Sequence, residues 1–303
     1  MSTGPRRNVF VTTPTGKTED MSQYVKKPWE GRYAAFNMMV YGEPGEGKTP
    51  LLGTVVDVPV MMPALLIDCD SGTLSIKENE VLHTLHLPQI AIEKSIPAWT
   101  CLEQIYAWLV TGEHPYKTVM LDGGTDIQRF CEMECIAYGI AHKTSEKAHD
   151  EELAELADYR RIQERMKRMY MRFRDIRTQN GNKINFIATA HEGKQKDELT
   201  GMMVIQPMFM GKGAPLIAST FDIIGRMSTG PSSTDPKRQV KRLVTAVEQK
   251  ARGRSRIKSL GQIVEEPTMK KIAEKIFTEV DITTGELKDE EVKKEKQTAG
   301  VAA

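Results

Sequence analysis

The sequence predicts an α/β fold in which helices cover both faces of a mostly parallel central sheet. Short, continuously apolar runs alternate along the 303 residues with longer segments of helical periodicity. The apolar runs lack the in-and-out alternation of a half-exposed sheet, so they indicate strands that are buried on both faces. Hydrophobic residues make up 40% of the chain, which is enough for a core of this kind.

A glycine-rich segment follows the first predicted strand, which spans residues 33–41. Its sequence, GEPGEGKT, has the G-x-x-x-x-G-K-T spacing of a phosphate-binding loop, or P-loop. Glycines let backbone N–H groups turn inward around an anion, Lys48 can reach the β- and γ-phosphates, and the Thr49 hydroxyl can ligate Mg²⁺. The residues expected to line the loop are Gly42, Glu43, Pro44, Gly45, Glu46, Gly47, Lys48, Thr49 and Pro50.

A second Gly-Lys-Thr occurs near the N-terminus, in TPTGKT at 13–18. It lacks the first glycine of the motif, and no apolar strand precedes it. We therefore interpret residues 1–30 as a flexible polar arm.

The middle of the chain continues the alternation of strands and helices. A short helix, broken by Pro59 and Pro63, is expected after the P-loop. The elements predicted next are a strand over ALLIDCD (64–70), a weaker strand over LPQIAIE (87–93), a helix over 98–110, a strand over 117–124 and a helix over TDIQRFCEMECIAYGIA.

The sequence of the last part of the chain predicts a basic helix and a late antiparallel region. A polar loop at 142–155 leads into a long basic helix at about 157–177. Later strands are predicted over KINFIATAH (183–191), TFDIIGRMS and KRLVTAVEQ, with part of a β-hairpin in DELTGMMVIQPMF. The folded core is thus expected over 31–277, and the charged residues 278–303 are expected to form a disordered tail.

Composition restricts the possible partners and the compartment. The formal net charge is +1, so a nucleic-acid site must be a local patch. The four cysteines suggest no disulfide framework, and no apolar run could span a bilayer, so we expect a soluble cytoplasmic protein without membrane contact. Cys131 and Cys135 lie one helical turn apart, with His142 and His149 downstream; a zinc site is the alternative to two buried helix cysteines.

Acidic side chains end two of the predicted strands. Asp122 ends TVMLD, where a P-loop protein needs an acid that holds Mg²⁺ through water; capping of the next helix is the alternative. Asp68 and Asp70 end LLIDCD and point to the same side of the sheet. Asp70 lies further out, so we expect it to orient or deprotonate the attacking water, with Asp68 as its structural partner.

His191 ends the predicted strand IATAH. A polar side chain there could contact the γ-phosphate and report its presence to the following loop. A surface or capping histidine is the alternative.

The order of these motifs resembles that of a known family. The P-loop, LLIDCD, VMLDGG, IATAH, FDIIGRM and EQKARGRSR together resemble the RecA-like core ATPases of bacteriophages, and most of all the Sak-type group associated with single-strand annealing and recombination. The resemblance covers about residues 33–277. It implies a RecA-like P-loop NTPase core that uses ATP and Mg²⁺ and assembles into rings or filaments, with nucleotide at subunit boundaries.

The resemblance also implies roles for individual residues. Lys48 and Thr49 would bind phosphate and Mg²⁺, Asp122 would be the second acid of the metal site, and His191 would be the γ-phosphate switch. The family's catalytic glutamate falls on Asp70, which is shorter by one methylene, so hydrolysis could be slow. Gly123 and Gly124 replace the more usual serine, and Pro50 is tolerated in a first helical turn.

A basic segment, QKARGRSRIK at 249–258, follows the last predicted strand. The resemblance implies that basic residues here reach the γ-phosphate bound by a neighbouring subunit and stabilise its charge, and Lys250 and Arg252 are the favoured candidates. A solvated basic loop is the alternative.

Two regions are candidates for contact with DNA. The helix at 158–177 carries eight arginine or lysine residues against three acidic ones, so it could follow a phosphate backbone or could be an ordinary exposed face. The resemblance places DNA on the loops at 142–155 and 192–213, but the first carries more acids than bases. The candidate contacts are Arg165 and Arg172 on the helix, and Lys194, Lys196, Phe209 and Lys212 in the second loop.

The sequence thus favours an Mg²⁺-dependent ATPase that acts on single-stranded DNA in phage recombination or replication, with a phage or host single-strand-binding protein as a further candidate partner. The alternative is a nucleotide-dependent assembly or loader protein whose partner is another protein and whose hydrolysis is weak. A small-molecule kinase is less favoured, because no lid-like arginine cluster with an acceptor pocket is evident.

Overall fold

The computed structural model describes residues 35–111, 113–142, 154–178, 180–196, 201–210, 213–248, 250–286 and 288. The predicted N-terminal arm, most of the predicted loop at 142–155, Lys212 and residues 289–303 of the predicted tail lie outside these ranges.

Ten strands and seven α-helices occur in the described ranges. The strands are β1 (Asn37–Gly42), β2 (Ala64–Asp68), β3 (His83–His86), β4 (Thr118–Asp122), β5 (Asn185–Lys196), β6 (Met203–Pro207), β7 (Ile223–Pro231), β8 (Gln239–Val244), β9 (Arg254–Ser255) and β10 (Ile263–Glu265). The helices are α1 (Lys48–Gly53), α2 (Leu87–Glu93), α3 (Ala98–Thr111), α4 (Gly124–Ala141), α5 (Leu156–Arg174), α6 (Gly213–Ala218) and α7 (Met269–Ile276).

All ten strands belong to one sheet, with the main order β10-β8-β7-β1-β5-β4-β2-β3. The six strands from β7 to β3 in this order are parallel, whereas β8 and β10 continue the sheet in antiparallel pairing. Two further strands pair off this path: β6 is antiparallel to the end of β5, and β9 is antiparallel to the start of β7. This arrangement confirms the predicted α/β fold with a mostly parallel sheet and a late antiparallel region.

The buried central strands divide their side chains between two cores, because successive residues of a strand point to opposite faces. In β1, Met39 and Tyr41 belong to one core, and Met38 and Val40 belong to the other. The first core lies under α3, α4, α5 and α6 and contains many of the large aromatic side chains: Trp99, Tyr170, Phe173, Phe186 and Phe221. The second lies under α1 and α7. Both faces of the sheet are therefore covered by helices.

The prediction of a strand at 87–93 was wrong, because this segment forms α2. Pro88 lies in its first turn, where the fixed φ of proline favours a helix and its missing N–H costs nothing. Leu87 and Ala91, four residues apart, are its buried residues. The strand of this region is β3, whose sequence HTLH is too polar and too short to stand out as a buried strand.

His191 does not end its strand, which corrects a second prediction. The parallel pairing of β5 with β1 ends at the pair Gly42 and His191, but β5 continues to Lys196 and pairs with β6 as a hairpin. Part of the predicted loop at 192–213 is therefore a regular continuation of the sheet. The basic helix also ends earlier than predicted, at Arg174.

The first residues of the predicted tail pack on the core. Val280 and Ile282 are 9% and 8% exposed, and the Val60 N–H donates a hydrogen bond of 3.2 Å to the Ile282 carbonyl. Within the described ranges, no helix combines the length and the apolar character needed to cross a membrane.

Candidate nucleotide-binding site

The P-loop connects the central strand β1 to helix α1, which begins at Lys48. Gly45 and Gly47 have φ values of 80° and 90°, in the left-handed region that favours glycine. Gly42 is required for a different reason: a Cβ atom there would lie 2.6 Å from the carbonyl oxygen of Met227 on β7. The three glycines of the loop thus follow from backbone geometry and from the close approach of a neighbouring strand.

The Lys48 ammonium spans the loop. Its Nζ donates hydrogen bonds of 3.0 Å each to the carbonyl oxygens of Gly42 and Glu43. An ammonium has three protons, so one remains for an anion held by the loop. Burial lowers the pKa of Lys48, and the nearby charges of Asp122 and Asp70 oppose this shift.

Two residues that the sequence analysis did not identify hold the tip of the loop. Lys241 on β8 donates to the Glu46 carboxylate at 2.8 Å and to the Gly45 carbonyl at 3.3 Å. Thr229 on β7 donates to the same carboxylate at 3.0 Å. Burial by itself would raise the pKa of Glu46, but these hydrogen bonds, led by the one from Lys241, lower it below its usual value. The antiparallel part of the sheet therefore supports the P-loop. Such a long-range contact cannot be predicted from a local sequence motif.

Thr49 and Asp122, the two residues predicted to hold Mg²⁺, lie in direct contact. The Thr49 hydroxyl donates a hydrogen bond of 2.6 Å to Asp122 Oδ2, and the Thr189 hydroxyl on β5 donates to Oδ1. Asp122 is 1% exposed, and burial raises its pKa. A hydroxyl and a carboxylate are hard oxygen ligands of the kind that Mg²⁺ prefers, so this pair fits the ion.

Thr189 was also missed by the sequence analysis, because a threonine inside an apolar strand is unremarkable. Besides donating to Asp122, its hydroxyl accepts a hydrogen bond of 3.0 Å from the Gly123 N–H. A Cβ atom on Gly124 would lie only 2.4 Å from the Thr189 carbonyl oxygen. Gly123 itself has a φ of 95°. Packing and backbone geometry therefore explain why glycines follow the metal-site acid in this chain.

Asp68 and Asp70 lie in different environments. Asp68 is fully buried; Thr73 Oγ1 donates to it at 3.1 Å, and His86 Nδ1 lies 3.0 Å from its Oδ2. Asp70 is exposed and accepts a hydrogen bond of 2.9 Å from the Gly72 N–H. Loss of hydration at its carboxylate, followed by the negative charge of Asp122, raises the pKa of Asp70 to about 6. Asp68 thus stabilises the strand end, and Asp70 remains accessible.

His191 lies beside Asp70. One of its ring nitrogens forms a group with a carboxylate oxygen of Asp70 and one of Asp126, all within 4.8 Å of one another. The His191 N–H donates to Thr125 Oγ1 at 3.1 Å, which fixes the backbone here. Burial lowers the pKa of His191, and the Lys48 charge adds to this effect. The structure thus gathers Lys48, Asp70, Asp122 and His191 at one edge of the sheet.

The basic segment at 250–258 is attached to the same edge through its backbone. The Lys250 carbonyl accepts a hydrogen bond of 2.9 Å from the Ile205 N–H, and the Arg252 N–H donates to the Ile205 carbonyl at 2.8 Å. The Tyr41 hydroxyl, one residue before the P-loop, donates to the Arg252 carbonyl at 2.6 Å.

Two of the other bases in this segment serve the fold. Arg254 donates to the carbonyl oxygens of Ala218 and Phe221, and Arg256 pairs with Asp222 at 3.1 Å. The Lys250 side chain is exposed.

The candidate DNA contacts separate into buried and exposed residues. Phe209 was wrongly expected to stack on bases: it is 7% exposed and packs edge-on against Tyr170 in the first core. Arg165 pairs with Glu134 at 3.3 Å and lies over the Trp99 ring, so it serves mainly the fold. The exposed candidates are Arg172 on α5 and Lys194 and Lys196 on β5.

The zinc alternative gains no geometric support in the part of the chain that the structure describes. Cys131 and Cys135 are buried in α4. Within the described ranges, the close grouping of candidate metal ligands contains neither cysteine. The structure therefore fits the interpretation of Cys131 and Cys135 as buried helix cysteines. His149 lies outside the residues that the structure describes.

One comparison with known proteins identifies the family. A protein-family model described as "AAA domain" matches residues 34–256, from just before β1 to just after β9. The match includes the P-loop, the strand-end acids and the basic segment up to Arg256. No curated protein matches the chain.

Proposed function

Because the chain belongs to the AAA domain family of P-loop ATPase-type proteins, we propose that it binds ATP with Mg²⁺ and hydrolyses it at the carboxyl edge of the parallel sheet. The observation that carries this proposal is the contact of 2.6 Å between the Thr49 hydroxyl and the buried Asp122 carboxylate, beside a P-loop spanned by Lys48. Family membership suggests ATPase activity, and this geometry supplies the residues for it.

Each residue of the site has a role in the proposed reaction. The backbone N–H groups of Gly45, Gly47, Lys48 and Thr49, together with the Lys48 ammonium, hold the β- and γ-phosphates. Thr49 and Asp122 would hold Mg²⁺, which when bound would neutralise charge that develops on the phosphates. Asp70 orients the attacking water, and a pKa near 6 leaves most of its carboxylate ionised at neutral pH. His191 contacts the γ-phosphate from β5.

A cavity beside α1 suits the nucleoside. Its volume is about 670 Å³, and it lies between the α1 side and residues 74–81. Pro50, Gly53 and Thr54 line one wall, within two turns of the residues that hold the phosphates. The nucleoside would occupy this space if it extended from the P-loop past Pro50.

We also propose that the protein acts on single-stranded DNA in phage recombination or replication. The exposed Lys194 and Lys196 support this, since they follow His191 on the same strand and can contact phosphates. Arg172 is a separate exposed candidate on α5, the helix that leads into the start of β5. A single-strand-binding protein of phage or host would be a natural partner in this role.

Assembly into a ring or filament belongs to the same proposal. The exposed Lys250 and the neighbouring Arg252 would reach the γ-phosphate bound by an adjacent subunit. The anchoring of their backbone by Ile205 and Tyr41 supports this role, because it holds the segment in a defined place.

A nucleotide-dependent loader with weak hydrolysis is the second candidate. It is favoured by one feature, the short Asp70 side chain, whose carboxylate is also engaged by the Gly72 N–H. Such a protein would bind ATP tightly, turn it over slowly and bind another protein rather than DNA.

The decisive experiment measures ATP hydrolysis by the purified chain with and without single-stranded DNA at low salt. We expect hydrolysis that DNA stimulates, and we expect Lys48→Ala to abolish it. Unchanged turnover in Lys48→Ala would refute the nucleotide site, and a lack of DNA stimulation would favour the loader.

A matched pair of variants tests the DNA surface. Lys194→Ala should weaken binding of single strands and reduce the salt slope of the binding constant by about 0.7. Lys270→Ala, an exposed lysine on α7 under the opposite face of the sheet, should change neither. Equal effects of the two substitutions would refute a DNA contact at the hairpin.

A further inference from the structure

We propose that Asp70, Asp126 and His191 form a second divalent-cation site that takes a transition-metal ion such as Mn²⁺. One ligand atom from each residue lies within 4.8 Å of the other two. Two ligands of the same ion are separated by at most twice the metal–ligand distance, which is roughly 4 to 5 Å. Small side-chain adjustments would therefore bring all three atoms onto one ion.

Three different elements deliver these ligands to one point. Asp70 follows the end of β2, Asp126 lies in the first turn of α4, and His191 lies on β5. The left-handed turn at Gly123 directs α4 past Asp70, and the Asp126 N–H donates to the Gly123 carbonyl at 2.9 Å. The hydrogen bonds of the Asp126 and His191 N–H groups thus fix the backbone of these two ligands independently of any ion, which is part of the preorganisation that a metal site needs.

The histidine provides an observation independent of the two carboxylates. Its Nδ1 atom is buried and has no hydrogen-bond partner among the described residues. Buried polar atoms normally have partners, and a metal-bound imidazole uses one nitrogen for the ion and offers the other to a neighbouring acceptor. An ion bound through Nδ1 would account for the unpaired atom.

The charge around the site also favours a cation. In the described ranges, no lysine or arginine forms an ion pair with Asp70, and Asp126 has only a contact of 3.7 Å with the exposed Arg129. The nearby Lys48 ammonium offsets part of the negative charge of Asp70, and a cation entering from solvent, to which Asp70 is exposed, could balance the rest.

The mixed nitrogen and oxygen ligands determine which ion is expected. Mg²⁺ prefers oxygen ligands, whereas imidazole together with carboxylates suits transition-metal ions such as Mn²⁺. This site therefore differs in chemistry from the pair formed by Thr49 and Asp122. Because Asp70 and His191 also have roles in the proposed hydrolysis, the ion would occupy the nucleotide-free protein, and its binding does not require that the chain hydrolyse ATP.

The test titrates Mn²⁺ into the full-length, nucleotide-free protein in excess Mg²⁺ and follows free Mn²⁺ by electron paramagnetic resonance. We expect one Mn²⁺ bound per chain, with electron spin-echo modulation from an imidazole nitrogen. His191→Gln should remove this nitrogen signal, and Asp126→Asn should weaken uptake at least tenfold. The control Glu132→Gln, which neutralises another carboxylate of α4, should leave uptake unchanged. Thermal unfolding checks that each variant folds.

Failure of this proposal can be told from failure of the proposed function. No Mn²⁺ uptake in excess Mg²⁺, uptake without a nitrogen signal, or uptake insensitive to Asp126→Asn would each overturn the second site. If the protein takes up Mn²⁺ with the nitrogen signal but hydrolyses no ATP, the second site is supported. Only the proposed ATPase activity is then contradicted.

Discussion

Gly123 lies so close to Asp70 that a Cβ atom added to it would be 3.1 Å from the Cβ atom of the aspartate. The residue after the metal-site acid thus sets the space available to the carboxylate expected to orient water. A side chain at this position would force Asp70 to shift.

Gly123→Ala should therefore reduce ATP turnover at least tenfold while retaining the fold. Gly181→Ala is the matched control: Gly181 also has a positive φ, 77°, but its added Cβ would meet nothing within 4 Å. Both substitutions should lower the free energy of unfolding by about 1 to 2 kcal/mol because of the left-handed backbone. Urea denaturation and steady-state turnover separate the two effects. Equal turnover in both variants would show that Asp70 does not depend on this space.

Thr189→Val should destabilise the protein by about 1 to 3 kcal/mol, because it leaves the buried Asp122 carboxylate and the Gly123 N–H without their shared partner. The dependence of nucleotide binding on Mg²⁺ should also weaken, since Asp122 loses its fixed orientation. Ser219→Ala, which removes an exposed hydroxyl, is the control for urea denaturation. A stability change no larger than that of the control would contradict the role assigned to Thr189.

Lys241→Ala should weaken ATP binding up to about fivefold, because it releases Glu46 and the Gly45 carbonyl at the tip of the P-loop. The loss of affinity should be no larger than this, because the ion pair between Lys241 and Glu46 is partly exposed to solvent. Arg238→Ala provides the comparison, since it breaks an exposed pair with Glu266 outside the P-loop. Isothermal titration calorimetry with a non-hydrolysable ATP analogue measures the affinity of both variants. The prediction fails if the two variants bind the analogue with the same affinity.

Stability should depend on pH through Asp70. Its pKa rises from the ordinary 3.8 to about 6 in the folded chain, so the folded state binds the proton more tightly than the unfolded state. The free energy of unfolding should then decrease as the pH rises from about 4 to about 6. Asp122, whose pKa is also raised, contributes in the same direction.

Asp70→Asn should remove the Asp70 part of this slope and make the protein more stable than the wild type at pH 7. Urea denaturation across this pH range, in the presence of a chelator, measures both slopes. An unchanged slope in the variant would show that Asp70 titrates normally.

The sequence predicted the parts of the site that depend on local spacing. The P-loop and the acids at strand ends each belong to one short stretch, so their patterns could be interpreted without knowledge of the fold. Thr189, Lys241 and Thr229 could not be found in this way, because their roles arise from pairing between strands far apart in the chain. Sheet register, rather than composition, decides which of their side chains meets the site.

The errors have equally specific causes. Residues 87–93 are as apolar as a strand, but a proline in the first turn and a spacing of four between the buried residues favour a helix. Phe209 lies in a basic stretch, yet the aromatic cluster around Tyr170 buries it. The sequence showed which residues are apolar but not which neighbours the tertiary fold provides.

The uninterrupted course of β5 past His191 has a mechanical consequence. A paired strand is stiff along its length, so a movement at His191 would be carried to Lys194 and, through β6 and Ile205, to the backbone of Lys250 and Arg252. The proposed DNA contact at Lys194 and the proposed contact of Lys250 and Arg252 with an adjacent subunit would then respond to the same displacement. The presence or absence of the γ-phosphate could therefore change DNA affinity and the contact with the adjacent subunit together.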